Sequence, residues 1–197
     1  SLNTVSSIGG ELGKKGYYTA FFHGADNGSM GFEAFARTAG YTHYFGRTEY
    51  NEANPDNKDF DGHWGIWDEK FFQFFGNTLS GFQQPFAAAL FSLSSHHPFA
   101  VPAEYEGVFP KGNKPIRQCI GYTDNALKLF FEKVSKEPWY KNTLFVFTAD
   151  HTNSPERPEY ETESGLFSVP VVFYQPGSDL KGFRKDVIAQ QIDIMPT

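Results

Sequence analysis

The sequence predicts an α/β domain built around a largely parallel sheet. Segments with helical spacing of apolar residues alternate along the chain with short apolar runs of strand length. The runs "PFAAALFSLS" (85–94) and "NTLFVFTA" (142–149) are apolar nearly throughout, which is typical of strands covered on both faces. Such strands alternating with helices favour right-handed crossovers. With 197 residues, 40% of them hydrophobic, the chain is long enough for one compact domain over residues 1–197.

The first half of the chain predicts two helix–strand pairs and a loop. Residues 8–16 resemble the last turns of a helix that ends at Gly16, and "YYTAFF" follows as a short strand leading to His23. Residues 31–40 have apolar side chains at helical spacing and end in glycine, after which "YTHYFG" returns to strand composition. Residues 51–62 have almost no apolar content and many turn formers, so we expect an exposed loop there.

The second half predicts two longer helices and a last strand. "DEKFFQFFGNTLSGF" has the aromatic spacing of a helix that is buried on one broad face, with Asp68 as its N-cap. "TDNALKLFFEKVSKEPWY" predicts a helix that is capped by Thr123 or Asp124 and stops before Pro138. After a polar stretch, "LFSVPVVFY" (166–174) predicts the last strand.

Composition excludes several classes of function. The formal net charge is -6 and the sequence has no concentrated basic region, so we expect no nucleic-acid partner. Cys119 is the only cysteine, which excludes an intrachain disulfide and a thiolate metal cluster. No run of about twenty apolar residues predicts a transmembrane helix. The chain opens without Met and closes on an interrupted apolar pattern, so we expect it to be part of a longer protein.

Histidine stands at the end of three predicted strands. His23 follows the first strand, His96 and His97 follow "PFAAALFSLS", and Asp150 and His151 follow "FVFTA". In parallel sheets, ligands gather beyond the carboxyl ends of the strands. These five residues are therefore the first candidates for a functional site.

Asp150 and His151 offer a hard oxygen and an imidazole nitrogen, a pairing suited to Zn²⁺, Mn²⁺ or, less well, Mg²⁺. Just past a strand end the backbone turns, so both side chains can converge on one ion. The alternative is that Asp150 caps a turn and His151 is an ordinary loop residue. Two ligands do not by themselves define a metal site.

The other candidates could bind a substrate. Pro98 restricts His97 to an extended conformation and so fixes where His96 and His97 point. Either imidazole could bind a phosphate or sulfate oxygen or act as a general acid. Trp64 could stack on a sugar or a lipid headgroup. For the histidines the alternative is a structural role in a loop, and for Trp64 it is packing under a loop.

Several segments in order carry a family resemblance: "GYYTAFFHG", "GFEAFARTAGYTHYFGRTEYN", "WGIWDEKFF", "LFSLSSHHPF", "NTLFVFTADHT" and the closing "QQIDIMPT". Together they resemble the C-terminal part of a sulfatase-type domain of the alkaline phosphatase superfamily. The closest similarity is to the membrane-anchored phosphoglycerol transferases of the lipoteichoic acid synthase group. The resemblance covers nearly the whole chain and implies a three-layer sandwich that is incomplete at its N-terminal side.

The resemblance implies an enzyme in which a Thr, Ser or modified Cys nucleophile attacks phosphorus or sulfur. A divalent metal ion (Mn, Mg, Zn or Ca) binds the transferred group. Asp150 and His151 match two of the family's metal ligands. The nucleophile and the other ligands belong to motifs upstream of the first helix, so we expect no catalytic nucleophile in residues 1–197 and no turnover by this piece alone.

The resemblance also implies substrate-binding roles for His96 and His23. Where the synthases carry a Trp and an Arg that contact glycerol phosphate, this chain has Met30 and Phe32, which argues against the same contacts here. No lysine lies near His151, where arylsulfatases often carry one, so that feature does not favour sulfate ester hydrolysis either.

The implied setting is the extracytoplasmic side of the cell membrane, with a phospholipid headgroup or a glycan as substrate and a membrane anchor in a missing N-terminal region. A sheet that lacks its N-terminal strands also predicts self-association of this piece. Two alternatives stay open. One is a true sulfatase acting on sulfated glycans, and the other is a noncatalytic glycan-binding module around Trp64.

Overall fold

The computed structural model describes residues 5–179, 181–184 and 187–195. The helices and strands in these ranges are α1 (Ile8–Lys14), β1 (Tyr18–His23), α2 (Phe32–Thr38), β2 (His43–Phe45), α3 (Arg47–Ala53), α4 (Asp68–Ser80), β3 (Phe86–Phe91), α5 (Ile116–Val134), β4 (Phe145–Thr148) and β5 (Val171–Tyr174). Short 3-10 helices occupy Ser29–Gly31, Ala103–Tyr105, Tyr140–Asn142, Pro158–Tyr160, Gly165–Phe167 and Gln191–Ile194.

These residues divide into two compact units, one ending at Val134 and the other beginning at Ser135. The single domain over residues 1–197 stays a prediction. Pro196 and Thr197, which close the "QIDIMPT" segment, lie outside the described residues.

The first unit contains a parallel sheet with the strand order β2-β1-β3. Both neighbours of β1 run parallel to it, and His23 at the end of β1 lies in register with Phe91 at the end of β3. The predicted α/β fold with a parallel sheet is therefore confirmed. Because the strands are parallel, their carboxyl ends meet at one edge of the sheet, where two of the histidine segments begin.

Helices lie on both faces of this sheet. Alternate side chains of β1 point to opposite faces. On one face the Phe22 ring meets Phe75 of α4, with centroids 4.7 Å apart, and on the other Phe21 stacks with Phe32 of α2 at 6.5 Å. The buried centre of the α4 side consists of Ala20, Phe22, Tyr50, Ile66 and Phe71. This arrangement is the three-layer sandwich that the resemblance implied.

Helix α3 overlaps the segment 51–62 that the sequence predicts as a loop, so that prediction was wrong for its first three residues. The helix forms because the Glu49 carboxylate accepts the backbone N–H of Gly46 at 2.6 Å, which satisfies a donor at the helix start. Tyr50 is buried, and its hydroxyl donates to Asp59 at 2.6 Å. Packing of this one aromatic residue outweighs the polar composition around it.

Helix α5 begins at Ile116, so the predicted cap at Thr123 or Asp124 was also wrong. Cys119 and Tyr122 are fully buried and extend the apolar face of the helix toward its N-terminus. As predicted, the helix ends before Pro138.

The second unit contains β4 and β5, which pair antiparallel in a two-stranded sheet. Strand β5 begins after Pro170 and is therefore shorter than the predicted 166–174. The prediction that the apolar strands are covered on both faces was wrong for this chain. Every residue of β3 is only half-buried, and β4 and β5 alternate between half-buried and exposed or are mostly exposed. The reason is that β3 has one neighbour in the described sheet, while β4 and β5 have only each other there.

Within the described ranges, no helix combines the length and the apolar composition needed to cross a membrane.

Candidate functional site

The segment after β3 forms a tight turn that carries the first candidate histidine. The backbone N–H of His96 donates to the Leu93 carbonyl at 2.9 Å, which closes the turn Leu93–His96, called here the His96 turn. Leu93 and Ser94 are buried, whereas His96 is exposed. The turn therefore begins in the core and ends at the surface.

A buried carboxylate that sequence reasoning misassigned holds the start of this turn. Asp68 Oδ1 accepts the backbone N–H of Leu93 at 2.9 Å, and Asp68 Oδ2 accepts that of Ser94 at 3.0 Å. In return the Ser94 hydroxyl accepts the N–H of Asp68 at 3.0 Å. The N-cap position of α4 is Trp67, so the prediction that Asp68 is the N-cap was wrong.

Asp68 is 1% exposed and also contacts α5, where the Thr123 hydroxyl lies 3.3 Å from Oδ2. Burial raises the pKa of Asp68 to about 6, although its hydrogen bonds act in the opposite direction. The only sequence signal for this role is an acidic residue at a helix start combined with a polar "SLSS" strand end. Nothing in the spacing joins the two segments.

The structure brings together three of the predicted site residues, His96, His97 and Trp64. The Trp64 indole N–H donates to the His97 carbonyl at 2.6 Å, and the Trp64 and His96 rings meet edge to face with centroids 4.5 Å apart. His96 Nδ1 lies 2.9 Å from the same carbonyl. Because a carbonyl only accepts, Nδ1 carries the proton, and Nε2 of the neutral ring is left as an acceptor.

Trp64 is held from its backbone side as well. Asp61 Oδ1 accepts the backbone N–H groups of His63, Trp64 and Gly65 at 2.7, 2.8 and 3.0 Å. A small recess opens beside these groups, lined by Asp61, His63, Trp64, Trp67, Leu93, Ser94, His96, Pro98 and Ala100. The recess has room for about one water molecule, so it lies beside the imidazole and the indole without enclosing a larger ligand.

His97 and His23 differ from His96 in their surroundings. The His97 ring is exposed and meets Phe99 edge to face, so its contact with Trp64 is made through its backbone carbonyl. His23 is 2% exposed, with Nδ1 3.0 Å from the Phe91 carbonyl and its ring 4.2 Å from that of Phe32. Burial lowers the pKa of His23, which favours a neutral ring. These contacts join His23 to the sheet and to Phe32, and its substrate-binding role stays a prediction.

In the second unit, Asp150 and His151 lie just beyond the carboxyl end of β4, and their side chains approach each other. Asp150 Oδ2 and His151 Nε2 are 3.4 Å apart, and the backbone N–H of His151 donates to Asp150 Oδ1 at 2.8 Å. His151 Nδ1 lies 3.1 Å from the Thr152 carbonyl, so each nitrogen of the His151 ring faces an oxygen acceptor. A carboxylate oxygen and an imidazole nitrogen this close can share a proton or, when the nitrogen is deprotonated, bind the same metal ion.

The chemistry of this pair therefore fits two ligands of a divalent metal site. A backbone carbonyl that binds the far nitrogen is the usual support of a metal-bound histidine, since it fixes the tautomer and the ring orientation. Among the described residues, no group of three or more His, Cys, Asp or Glu side chains could hold a metal ion. The pair can supply part of a coordination shell and needs further ligands.

Comparisons with known proteins show what the whole chain is similar to. A family model described as Sulfatase matches residues 1–197. Lipoteichoic acid synthase 2 of Bacillus subtilis (strain 168) is 26% identical over 217 residues, covering 99% of this chain and 32% of that protein. Phosphoglycerol transferase I of Escherichia coli (strain SMS-3-5 / SECEC) is 26% identical over 153 residues, covering 73% of this chain and 20% of that protein. The chain thus spans about a third or less of the length of these relatives.

A solved structure has the same fold. The crystal structure of a protein in the alkaline phosphatase superfamily from Vibrio parahaemolyticus matches with a TM-score of 0.81 and 25% identity, over 99% of this chain and 47% of that one. These matches confirm the resemblance that the sequence motifs carried and show that the chain corresponds to part of a larger domain.

Proposed function

This chain belongs to the Sulfatase family, and from that premise we propose that it is part of a metal-dependent enzyme acting on phosphoesters. The enzyme transfers or hydrolyses a phosphoglycerol-type or related headgroup at the outer face of the cell membrane. The relatives named as lipoteichoic acid synthase and phosphoglycerol transferase support this reaction class. The observation that carries the proposal is the pairing of Asp150 with His151 beyond a strand end, with Asp150 Oδ2 and His151 Nε2 3.4 Å apart.

Asp150 Oδ2 and His151 Nε2 would hold a divalent cation, and the Thr152 carbonyl would keep the imidazole oriented. Mn²⁺, Mg²⁺, Zn²⁺ and Ca²⁺ are all candidates. Such an ion neutralises charge on the transferred phosphoryl group. Both side chains are about half exposed, so an incoming headgroup and further ligands can reach them.

The His96 turn and Trp64 supply the substrate-binding part. His96 Nε2 can accept a proton from a hydroxyl group or, once protonated, donate to a phosphoester oxygen. Trp64 offers an aromatic surface for a glycerol or sugar group. His23 and His97 are assigned here to support this region, His23 at the end of β1 and His97 through its carbonyl. The proposed substrate is a phospholipid headgroup or a glycan, and nucleic acid is not among the proposed partners.

The nucleophile and the remaining metal ligands are assigned to sequence upstream of α1. This assignment is supported by the short span of the chain on its relatives and by the two-ligand metal group. On this basis the isolated chain has no turnover. A phosphodiesterase assay that found metal-dependent multiple turnover by residues 1–197 alone would contradict the assignment.

The exposed strand faces of the second unit support self-association of the isolated chain. Val172 and Phe173 of β5 are 48% and 37% exposed, which is unusual for residues of this type in a strand. Sedimentation velocity should therefore find dimers or larger species whose fraction rises with concentration. A monomer at all concentrations would refute this part of the proposal.

The metal site is tested by titrating Mn²⁺ and Zn²⁺ calorimetrically into a chain that also carries the upstream sequence. Binding should be lost in Asp150→Ala and kept in Asp179→Ala, which removes another exposed carboxylate of the same unit. Binding that is absent, or equal in both variants, would refute the metal site and favour a noncatalytic glycan-binding module. If metal binds, hydrolysis of phosphoester and sulfate ester substrates by the same longer chain distinguishes the phosphoester enzyme from a sulfatase.

A further inference from the structure

We propose that Asp68 is a positioning residue that sets the placement and the tautomer of the His96 imidazole by holding the His96 turn from inside the core. The inference rests on the proposed role of His96 in substrate binding. It assigns a function to a carboxylate that touches no substrate and is remote in sequence from His96.

The first step of the argument is the match between Asp68 and the turn. A four-residue turn is fixed by the placement of its first residues and by the bond that closes it. Asp68 binds the N–H groups of the first two residues, Leu93 and Ser94, one with each carboxylate oxygen. The closing bond runs from the His96 N–H to the Leu93 carbonyl. Both halves of the turn therefore depend on where Asp68 places Leu93.

The second step is the rigidity of the carboxylate itself. Asp68 is the first residue of α4, and its own N–H is bound to the Ser94 hydroxyl at 3.0 Å. From α5, the Thr123 hydroxyl lies 3.3 Å from Asp68 Oδ2 and 3.2 Å from the Ser95 hydroxyl. Two helices thus hold the carboxylate, and one of them contacts the third residue of the turn directly.

The third step leads from the turn to the imidazole. His96 Nδ1–H donates to the carbonyl of the next residue, His97, and this carbonyl also accepts the Trp64 indole N–H. The Nδ1–H tautomer persists only while the backbone keeps that carbonyl beside the ring. An unconstrained histidine favours the other tautomer, so a change in the turn should be visible in the His96 ring.

The groups around Asp68 indicate what stabilises its carboxylate. Burying a carboxylate is costly unless its hydrogen bonds are needed, and an apolar residue in its place would leave the amides of Leu93 and Ser94 without their acceptor. The titratable groups that lie against Asp68 are Glu69 from its own helix and Cys119 and Tyr122 from α5, and none of them is basic. Without a cation beside it, the carboxylate is stabilised by the amides of the turn and by hydroxyl groups.

The test measures the His96 ring by ¹⁵N NMR in the chain itself, comparing wild type with Asp68→Asn and with Asp59→Asn. Asp59 is a matched control because its carboxylate lies in the same unit and accepts a tyrosine hydroxyl in place of the amides of the turn. Wild type and the control should show the Nδ1–H tautomer. Asp68→Asn should show a mixture, and the amide exchange of Leu93 and Ser94 should rise by at least about tenfold relative to the amides of β1.

Thr123→Val provides a second variant if Asp68→Asn does not fold. It removes only the hydroxyl that contacts Asp68 and Ser95, so it should move the tautomer ratio in the same direction by a smaller amount. An unchanged His96 tautomer in the folded variants would overturn the proposal. An equal rise of exchange in β1 and in the turn would also overturn it, because Asp68 would then support the whole core. No metal or substrate is present in this measurement, so its result is independent of whether the proposed phosphoester activity is found.

Discussion

The two strand ends that carry the candidate residues are built in opposite ways. In the first unit, the His96 turn is bound by the buried Asp68 and its surface residue is braced by Trp64. In the second unit, the side chains of Asp150 and His151 are 56% and 46% exposed, and their polar contacts run to each other and to the neighbouring Thr152. The first end is preorganised by buried contacts, whereas the second is ordered by its sequence neighbours and by an edge-to-face contact of the His151 ring with Phe167 at 6.4 Å.

This difference follows from what each end is proposed to bind. A hydrogen-bonding imidazole must keep one orientation before the ligand arrives, because hydrogen bonds lose strength rapidly as their geometry changes. Metal ligands can be completed by the ion, which contributes its own binding free energy to their order. The exposed pair is therefore the part of the molecule that should respond to a metal, and the braced turn should not.

The largest expected effect distinguishes the two ends by stability. Asp68→Ala leaves two buried amides without an acceptor, so the free energy of unfolding should fall by about 2–4 kcal/mol. Asp150→Ala removes an exposed side chain and should change it by less than about 0.5 kcal/mol. The measurement is urea unfolding near pH 5, where Asp68 is mostly protonated in the folded state. At this pH the substitution removes no buried negative charge, so the loss of the hydrogen bonds is not offset. Equal effects of the two variants would remove the distinction between the ends.

The second effect is a pH dependence that belongs to the first unit. The folded pKa of Asp68, about 6, lies above its ordinary value of 3.8, so the folded chain binds this proton more tightly than the unfolded chain does. The associated stability is fully present below the unfolded value and is lost as the pH rises through the folded value, with a full size of roughly 3 kcal/mol. Urea unfolding from about pH 4 to 7 should show this fall in wild type but not in Asp68→Asn. Parallel curves for the two proteins would contradict the raised pKa.

The sequence predicted the elements of this comparison more reliably than their connections. Apolar periodicity and glycine stops located most helices and strands, and short motifs indicated Asp150, His151 and His96 as candidates, because these signals are local. The partnership of Asp68 with Leu93 and Ser94 could not be predicted, because it joins residues 25 and 26 positions apart through a tertiary contact. An aspartate at a helix start predicted that Asp68 is an N-cap, but in the structure its carboxylate binds the turn after β3.

The same limit explains why the predicted burial of the strands was wrong. Continuous apolar composition correctly predicted strands at β3 and β4, and it also predicted coverage on both faces. The apolar composition of a strand indicates the environment in which it is stable. Its observed burial depends on which strands and helices pack against it. In the described residues β3 has one neighbouring strand, and β4 has one.

The third effect should appear only in the second unit. In a chain that also carries the upstream sequence, a free Mn²⁺ concentration ten times the dissociation constant should stabilise a site that exists only in the folded state by about 1.4 kcal/mol. This gain should raise the unfolding midpoint of wild type and should vanish in His151→Ala, which removes the Nε2 ligand. His96→Ala is the control because its imidazole belongs to the braced end, and it should keep the full gain. Loss of the gain in both variants would place His96 among the metal ligands and would end the separation of roles.

The smallest effect concerns the brace on the surface side of the His96 turn. Trp64→Phe keeps an aromatic ring beside His96 but removes the indole N–H that donates to the His97 carbonyl at 2.6 Å, so we expect a loss of about 0.5–1.5 kcal/mol. Since His96 Nδ1–H still has that carbonyl as its acceptor, its tautomer should stay largely as in wild type, in contrast to Asp68→Asn. Urea unfolding and the ¹⁵N signals of His96, recorded on the same samples, measure both quantities. If Trp64→Phe altered the tautomer as strongly as Asp68→Asn, the turn would be held from the surface as much as from the core.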